Sequence, residues 1–161
     1  MTKKTVLSIV LSLVTGIGTG IAVAGKIITK PKLGGDKKTE KFKQYYYMMN
    51  EWLRLRQEGK TLEKYFIDNN YKSIAIYGMG EVGNRLYSEL KDSSINIEYA
   101  VDKNAGFVDG DLEIRDIDDD LQNVDAIIVT AAFAFDEITE DLEDKVSFPI
   151  ISLEDVIYDI E

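Results

Sequence analysis

The sequence predicts an α/β fold in which helices flank a parallel sheet, and three observations carry that expectation. First, Ser73-Ile-Ala-Ile-Tyr77 is a short apolar run of the kind buried on both faces of a parallel sheet. Second, it stops at Gly78-Met79-Gly80-Glu81-Val82-Gly83, a G-x-G-x-x-G spacing, after which Val82, Leu86 and Leu90 repeat as one helical stripe. Third, Ile95, Ile97, Tyr99 and Val101 alternate as a second strand that ends on Asp102, 19 positions after Gly83. Strand, glycine turn, helix, strand and terminal acid in that order predict a Rossmann-like unit.

Each residue type in the turn has a physical task. Gly78 lets the chain turn off the strand, Gly80 lets the backbone approach a phosphate, and Gly83 lets the helix pack against the sheet. The helix begins with unpaired N–H groups and the positive end of its dipole, so Met79, Glu81 and Val82 join the glycines as candidate phosphate contacts. Asp102 stands where such folds hold a ribose through its hydroxyls. The alternatives are a strand-to-helix turn that binds nothing and an Asp102 that is a solvated or capping carboxylate.

With no cysteine and no histidine among 161 residues, disulfides, thiolate or imidazole metal sites and Ser-His or Cys-His catalysis are excluded. Charge is segregated. Residues 1–35 hold five lysines and no acid, residues 36–101 eleven bases and ten acids, and residues 102–161 three bases and nineteen acids. The acidic C-terminal part repels nucleic acid and anionic lipid, so no nucleic-acid partner is expected.

In chain order, Thr5 to Gly25 is 21 residues without a charge, long enough as a helix to cross a hydrocarbon core of roughly 30 Å. Residues 1–28 are therefore expected to be a single-pass transmembrane anchor. The lysines that follow it put the C-terminal domain in the cytoplasm. Lys3-Lys4, the apolar run and Ala22-Val-Ala24 also fit a secretory signal peptide, which would put the domain on the other side. Gly16, Gly20 and Ala24 share one helix face, which suits a homodimer, although glycine is common in membrane helices generally. Residues 29–36 read as a linker and 37–70 as a helical connector, with 71–161 the Rossmann-like domain.

The connector starts with an amphipathic helix, Lys37 to Glu58, whose apolar face is expected to carry Phe42, Tyr45, Tyr46, Met49, Trp52 and Leu53. Its Tyr45-Tyr-Tyr-Met-Met49 cluster reads as a packing face, with a membrane-surface or aromatic-ligand role as the alternative. Gly59 ends the helix, and Thr61 is expected to cap a short second helix through Ile67. Beyond Asp102 come a loop and a short third strand, then Asp116, Asp118, Asp119 and Asp120, expected as a solvated turn rather than a metal site. Ala126 to Ala131 reads as a central strand beside the first, Phe133 to Lys145 as a helix and Pro149 to Ile151 as a last strand. Ser152 caps a terminal helix through Ile160.

The segments Ile76-Tyr-Gly-Met-Gly-Glu-Val-Gly83, Tyr99-Ala-Val-Asp-Lys-Asn104 and Ala126-Ile-Ile-Val-Thr130 resemble small Rossmann modules of bacterial surface-polysaccharide biosynthesis. They are similar to the CoA-binding-like N-terminal domains of capsule-type sugar dehydratases, and to the nucleotide-sugar-binding halves of sugar acyltransferases, modules often labelled epimerase-like. The resemblance covers about Tyr71 to Ile157. It implies that Gly78 to Gly83 meet phosphates, that Asp102 with Lys103 beside it meets the ribose or base, and that Thr130-Ala131 line the same crevice. It also implies NAD or a nucleoside-diphosphate sugar as ligand and a glycan-biosynthesis protein as partner. Those relatives carry a separate catalytic domain that has no counterpart here, and the Tyr-x-x-x-Lys spacing from Tyr99 to Lys103 runs off a strand end. With no complete catalytic set, the expectation is a membrane-anchored binding module. A non-catalytic adaptor and an NAD-dependent enzyme subunit are the alternatives.

Overall fold

Two apolar runs, Ser73–Tyr77 and Ala126–Val129, lie side by side at the centre of a parallel sheet in the computed structural model, which describes residues 36–103 and 112–160. The elements are α1 (Lys37–Gln57), α2 (Glu63–Asp68), β1 (Ser73–Tyr77), α3 (Glu81–Leu90), β2 (Asn96–Val101) and β3 (Ile114–Arg115). There follow β4 (Ala126–Val129), a 3-10 turn (Ala132–Ala134), α4 (Phe135–Glu143), β5 (Ile150–Ser152) and α5 (Leu153–Tyr158). All five strands are parallel in the order β3-β2-β1-β4-β5, a Rossmann-like arrangement. The chain steps outward from β1 to β3, returns to β4 and steps outward the other way. The direction of winding therefore switches between β1 and β4.

Alternation along the central strands divides the interior in two. Ile74, Ile76, Ala126 and Ile128 pack with Met48, Trp52 and Leu55 of α1, Phe66 of α2, Leu86 and Leu90 of α3, and Val156 and Ile157 of α5. Ala75, Tyr77, Ile127 and Val129 pack with Ile138 and Leu142 of α4 on the other face. Residues 37–70 thus share a core with the sheet. At the opposite end from the glycine turn, Asp125 fixes how β4 meets β1: its Oδ2 accepts from the Lys72 and Ser73 N–H groups at 2.7 and 2.8 Å. These two backbone donors, Ser73 first, hold the Asp125 carboxyl below its ordinary value.

Helix α1 meets expectation at Trp52 and, half-buried, at Tyr45 and Met49, and is rotated away from it at Phe42, Tyr46 and Leu53. Met48, Trp52 and Leu55 are buried, whereas Phe42, Tyr46 and Leu53 are 62%, 66% and 56% exposed. The nine apolar residues among the 21 of this helix are not confined to one narrow stripe, so periodicity leaves its rotation open, and a polar contact decides it. Trp52 Nε1 donates to Glu89 Oε2 of α3 at 2.7 Å, which turns the Trp52 face inward. The other oxygen of the same carboxylate accepts from Leu62 N–H at 2.8 Å and Arg56 lies 3.6 Å from it. Glu89, not Thr61, is thus the side chain that satisfies the start of α2, which has no side-chain cap of its own.

The remaining ends follow local chemistry. Asp36 caps α1 by accepting from Thr39 N–H at 2.7 Å. Gly59, at φ +75°, ends it with Lys60 N–H on the Leu55 carbonyl and Gly59 N–H on that of Arg56. Ser152 caps α5 through Glu154 N–H, and that helix stops at Tyr158. The helix expected from Phe133 is instead the 3-10 turn followed by α4, which ends at Glu143. Asp116, Asp119 and Asp118 organise a turn: Asp119 accepts from Asp116 N–H, Asp116 from Asp118 N–H, and Asp118 pairs with Lys145. The expected membrane anchor, its signal-peptide alternative, the small-residue face and the linker before Asp36 lie outside the described residues. Among the described residues no helix is long and apolar enough to cross a membrane.

Replacing Glu89 should be costly, because it orphans the Trp52 and Leu62 donors together. Glu89→Ala is expected to lower stability by about 2–4 kcal/mol, and Glu89→Gln, which keeps one acceptor, by less. Urea unfolding followed by Trp52 fluorescence measures both, and an unchanged midpoint for Glu89→Ala contradicts this role.

Candidate functional site

The turn after β1 is held from three sides. Gly78 N–H donates to the Val101 carbonyl of β2 at 2.8 Å, and Thr130 N–H donates to the Tyr77 carbonyl at 3.0 Å. The Thr130 hydroxyl, just beyond β4, donates to the Gly78 carbonyl at 2.7 Å. From α3, Asn84 Nδ2 donates to the Met79 and Gly80 carbonyls at 2.9 and 3.0 Å. Asp102 Oδ2 accepts from Met79 N–H at 2.6 Å. The acid at the tip of β2 therefore belongs to the turn.

The three glycines stand in different surroundings. Gly78 has φ +91°, a conformation that strains any side chain. A Cβ on Gly83 would lie 2.0 Å from the Gly78 carbonyl oxygen, so α3 crosses the turn in backbone contact. Gly80 has ordinary extended angles, φ −69° and ψ −164°, and a Cβ there would meet nothing within 4 Å. The fold requires glycine at 78 and 83 but not at 80. As the N-cap of α3, Gly80 supplies no side-chain cap, so the first-turn N–H groups of Glu81, Val82 and Gly83 receive none.

A cavity of about 450 Å³ opens on this turn. Gly80, Glu81, Val82 and Arg85 of the α3 side and Thr130 and Ala131 beyond β4 line it. Phe42, Tyr45 and Met49 of α1 form its remaining wall. Five sequence-derived candidates thus meet in one crevice at the point where winding switches between β1 and β4. Gly78, Met79 and Gly83 lie beneath it as its support, and Asp102 is tied to that support through Met79. Lys103 lies elsewhere, in a cavity of about 470 Å³ lined by acids that include Asp116, Asp118 and Asp141. No relative sharpens this picture: no family model, no curated protein and no solved structure matches the chain.

The wall contributed by α1 and the Arg85 side chain have no place in the glycine motif. Arg85 is the exposed cation one turn after Glu81, and it makes no ion pair among the described residues. Its i+4 spacing from Glu81 is the signal that could have found it. Tyr45 stacks edge-on against Phe133, with Lys41 Nζ 3.7 Å above the Phe133 ring, and burial pushes the Tyr45 phenol above its ordinary value. On the opposite face of β1, burial first and then Asp141, Asp102, Asp116 and Glu137 push the Tyr77 phenol up. It stays protonated near neutral pH and is no general base there. Among the described residues no group of three or more acids is arranged to hold a metal ion.

Gly83 and Gly80 should respond in opposite ways to a side chain. Gly83→Ala must shift backbone, at about 1–3 kcal/mol, whereas Gly80→Ser adds a cap and should be neutral or stabilising by roughly a few tenths of a kcal/mol. Thermal unfolding of the two variants checks this, and equal losses at both positions would contradict the geometry.

Proposed function

We propose that this chain is a module that binds the phosphates of a dinucleotide or nucleotide sugar on the first turn of α3, with its crevice between the ends of β1 and β4. The observation that carries the reading is that this crevice lies at the winding switch, where open α/β sheets hold their ligands, against an α3 start that has no side-chain cap. Gly80 adds support: the fold does not need its lack of a side chain, whereas close approach of a phosphate to backbone N–H does. NAD and nucleoside-diphosphate sugars are the ligands proposed, with Asp102 supporting the phosphate turn through Met79. The uncharged run Thr5–Gly25 and its flanking lysines support a single-pass anchor with the domain cytoplasmic, and the motif resemblance supports an accessory role in surface-polysaccharide synthesis. The absence of His and Cys favours binding over turnover.

Gly80→Asp separates fold from ligand. The carboxylate caps α3 and favours its dipole, so the free protein should melt at the same temperature or slightly higher, by roughly 0.3–1 kcal/mol in stability. Its charge also stands where the phosphate would sit. Thermal-shift assays with NAD, NADP, nucleoside-diphosphate sugars, CoA and S-adenosylmethionine should show stabilisation of the wild type that Gly80→Asp abolishes. A wild type that none of them stabilises, or a Gly80→Asp variant that is stabilised equally, sinks the proposal.

A further inference from the structure

Resting on that reading, we infer that the crevice is a two-part site for a nucleoside diphosphate: Arg85 clamps the phosphates from the side of α3, and the α1 wall of Tyr45 and Phe42 receives a planar ring. Three features meet in this one cavity. The first is chemical. Arg85 brings a delocalised cation with a fork of donors suited to phosphate oxygens, and it forms no ion pair with a carboxylate among the described residues. Glu81 lines the same cavity and opposes an anion, so N–H groups of α3 alone are a weak attraction, and Arg85 one turn further on offsets that charge.

The second feature is the wall opposite. Phe42 is more than half exposed although the helix that carries it buries Met48, Trp52 and Leu55, so its ring is spent on neither core. Tyr45 is half-buried and braced edge-on by Phe133, which fixes one aromatic surface against which a ring can pack. The third feature is size: about 450 Å³ is within the range of roughly 300–1,000 Å³ typical of small-molecule sites. An anion clamp facing an aromatic wall across such a space matches a ligand that is anionic at one end and planar at the other. The glycine motif reads only the first of these. Residues 37–70 therefore complete the site as well as the core.

Calorimetric titration of the full chain with uridine diphosphate and with inorganic pyrophosphate tests this. Both should bind the wild type. Arg85→Gln should weaken both by about tenfold or more, the loss of one charge-assisted phosphate contact of about 1.4 kcal/mol. Phe42→Ser should weaken uridine diphosphate several-fold and leave pyrophosphate unchanged, and its exposure makes the substitution safe for folding. Arg85→Gln binding like the wild type, or Phe42→Ser weakening pyrophosphate equally, overturns the two-part site. If either occurs while Gly80→Asp still abolishes binding, the phosphate turn stands without this clamp. A wild type that binds neither probe also overturns the inference, whereas the phosphate turn falls only if the wider ligand panel fails with it.

Discussion

The backbone contact between Gly83 and the Gly78 carbonyl is the constraint on which the rest of the molecule depends. With no Cβ at Gly83, the first turn of α3 lies directly on the end of β1, and any side chain there would drive helix and strand apart. That contact sets the line of α3, and through Leu86 and Leu90 it sets how α3 covers the sheet. It also aims the helix start at the gap between β1 and β4. The Thr130 hydroxyl on Gly78, the Val101 carbonyl on Gly78 N–H and the Asp102 carboxylate on Met79 N–H tie the same few residues to both neighbouring strands. A turn fixed from so many directions has little conformational freedom left to lose when a ligand arrives, which is the economy of a preorganised site.

Further along α3, Glu89 transmits this placement to the N-terminal helices. Its two oxygens take the Trp52 indole N–H and the Leu62 backbone N–H, so one carboxylate orients α1 and begins α2. The rotation of α1 then puts Tyr45 and Met49 beside the crevice and leaves Phe42 at its rim. A polar contact far from the glycine turn thereby decides which aromatic rings face the ligand space. Charge follows the same layering: the C-terminal segment is strongly acidic, and Arg85 is a cation in the crevice wall.

Much of this was legible in the sequence because it rests on local rules. The apolar runs at Ser73–Tyr77 and Ala126–Val129 have the length and composition of strands buried on both faces, and the glycine spacing with Asp102 specifies strand, turn, helix and strand in order. Gly78 at positive φ and Gly83 against backbone match the tasks their spacing assigned to them. What escaped depends on tertiary contacts. Nothing local tells that Glu89 reaches the Trp52 indole across 37 residues or the Leu62 N–H, so the sequence marks Trp52 but not Met48 and Leu55 as inward-facing, and Thr61 reads as the cap of α2. The i+4 spacing of Arg85 from Glu81 is a weak signal on its own, and it acquires meaning only when the opposite wall of the cavity is known. For Asp102 the sequence leaves a ribose contact and a capping carboxylate both open, since its bond to Met79 N–H appears only once the turn is folded.

The most direct measurement is an amide NMR titration of the isotope-labelled chain with pyrophosphate. A phosphate seated on the first turn of α3 predicts saturable shifts that are largest at the Gly80, Glu81, Val82 and Gly83 amides and smaller at Thr130 and Ala131. Saturable shifts centred on any other helix start, or no shift at these amides while nucleotides bind, would contradict it.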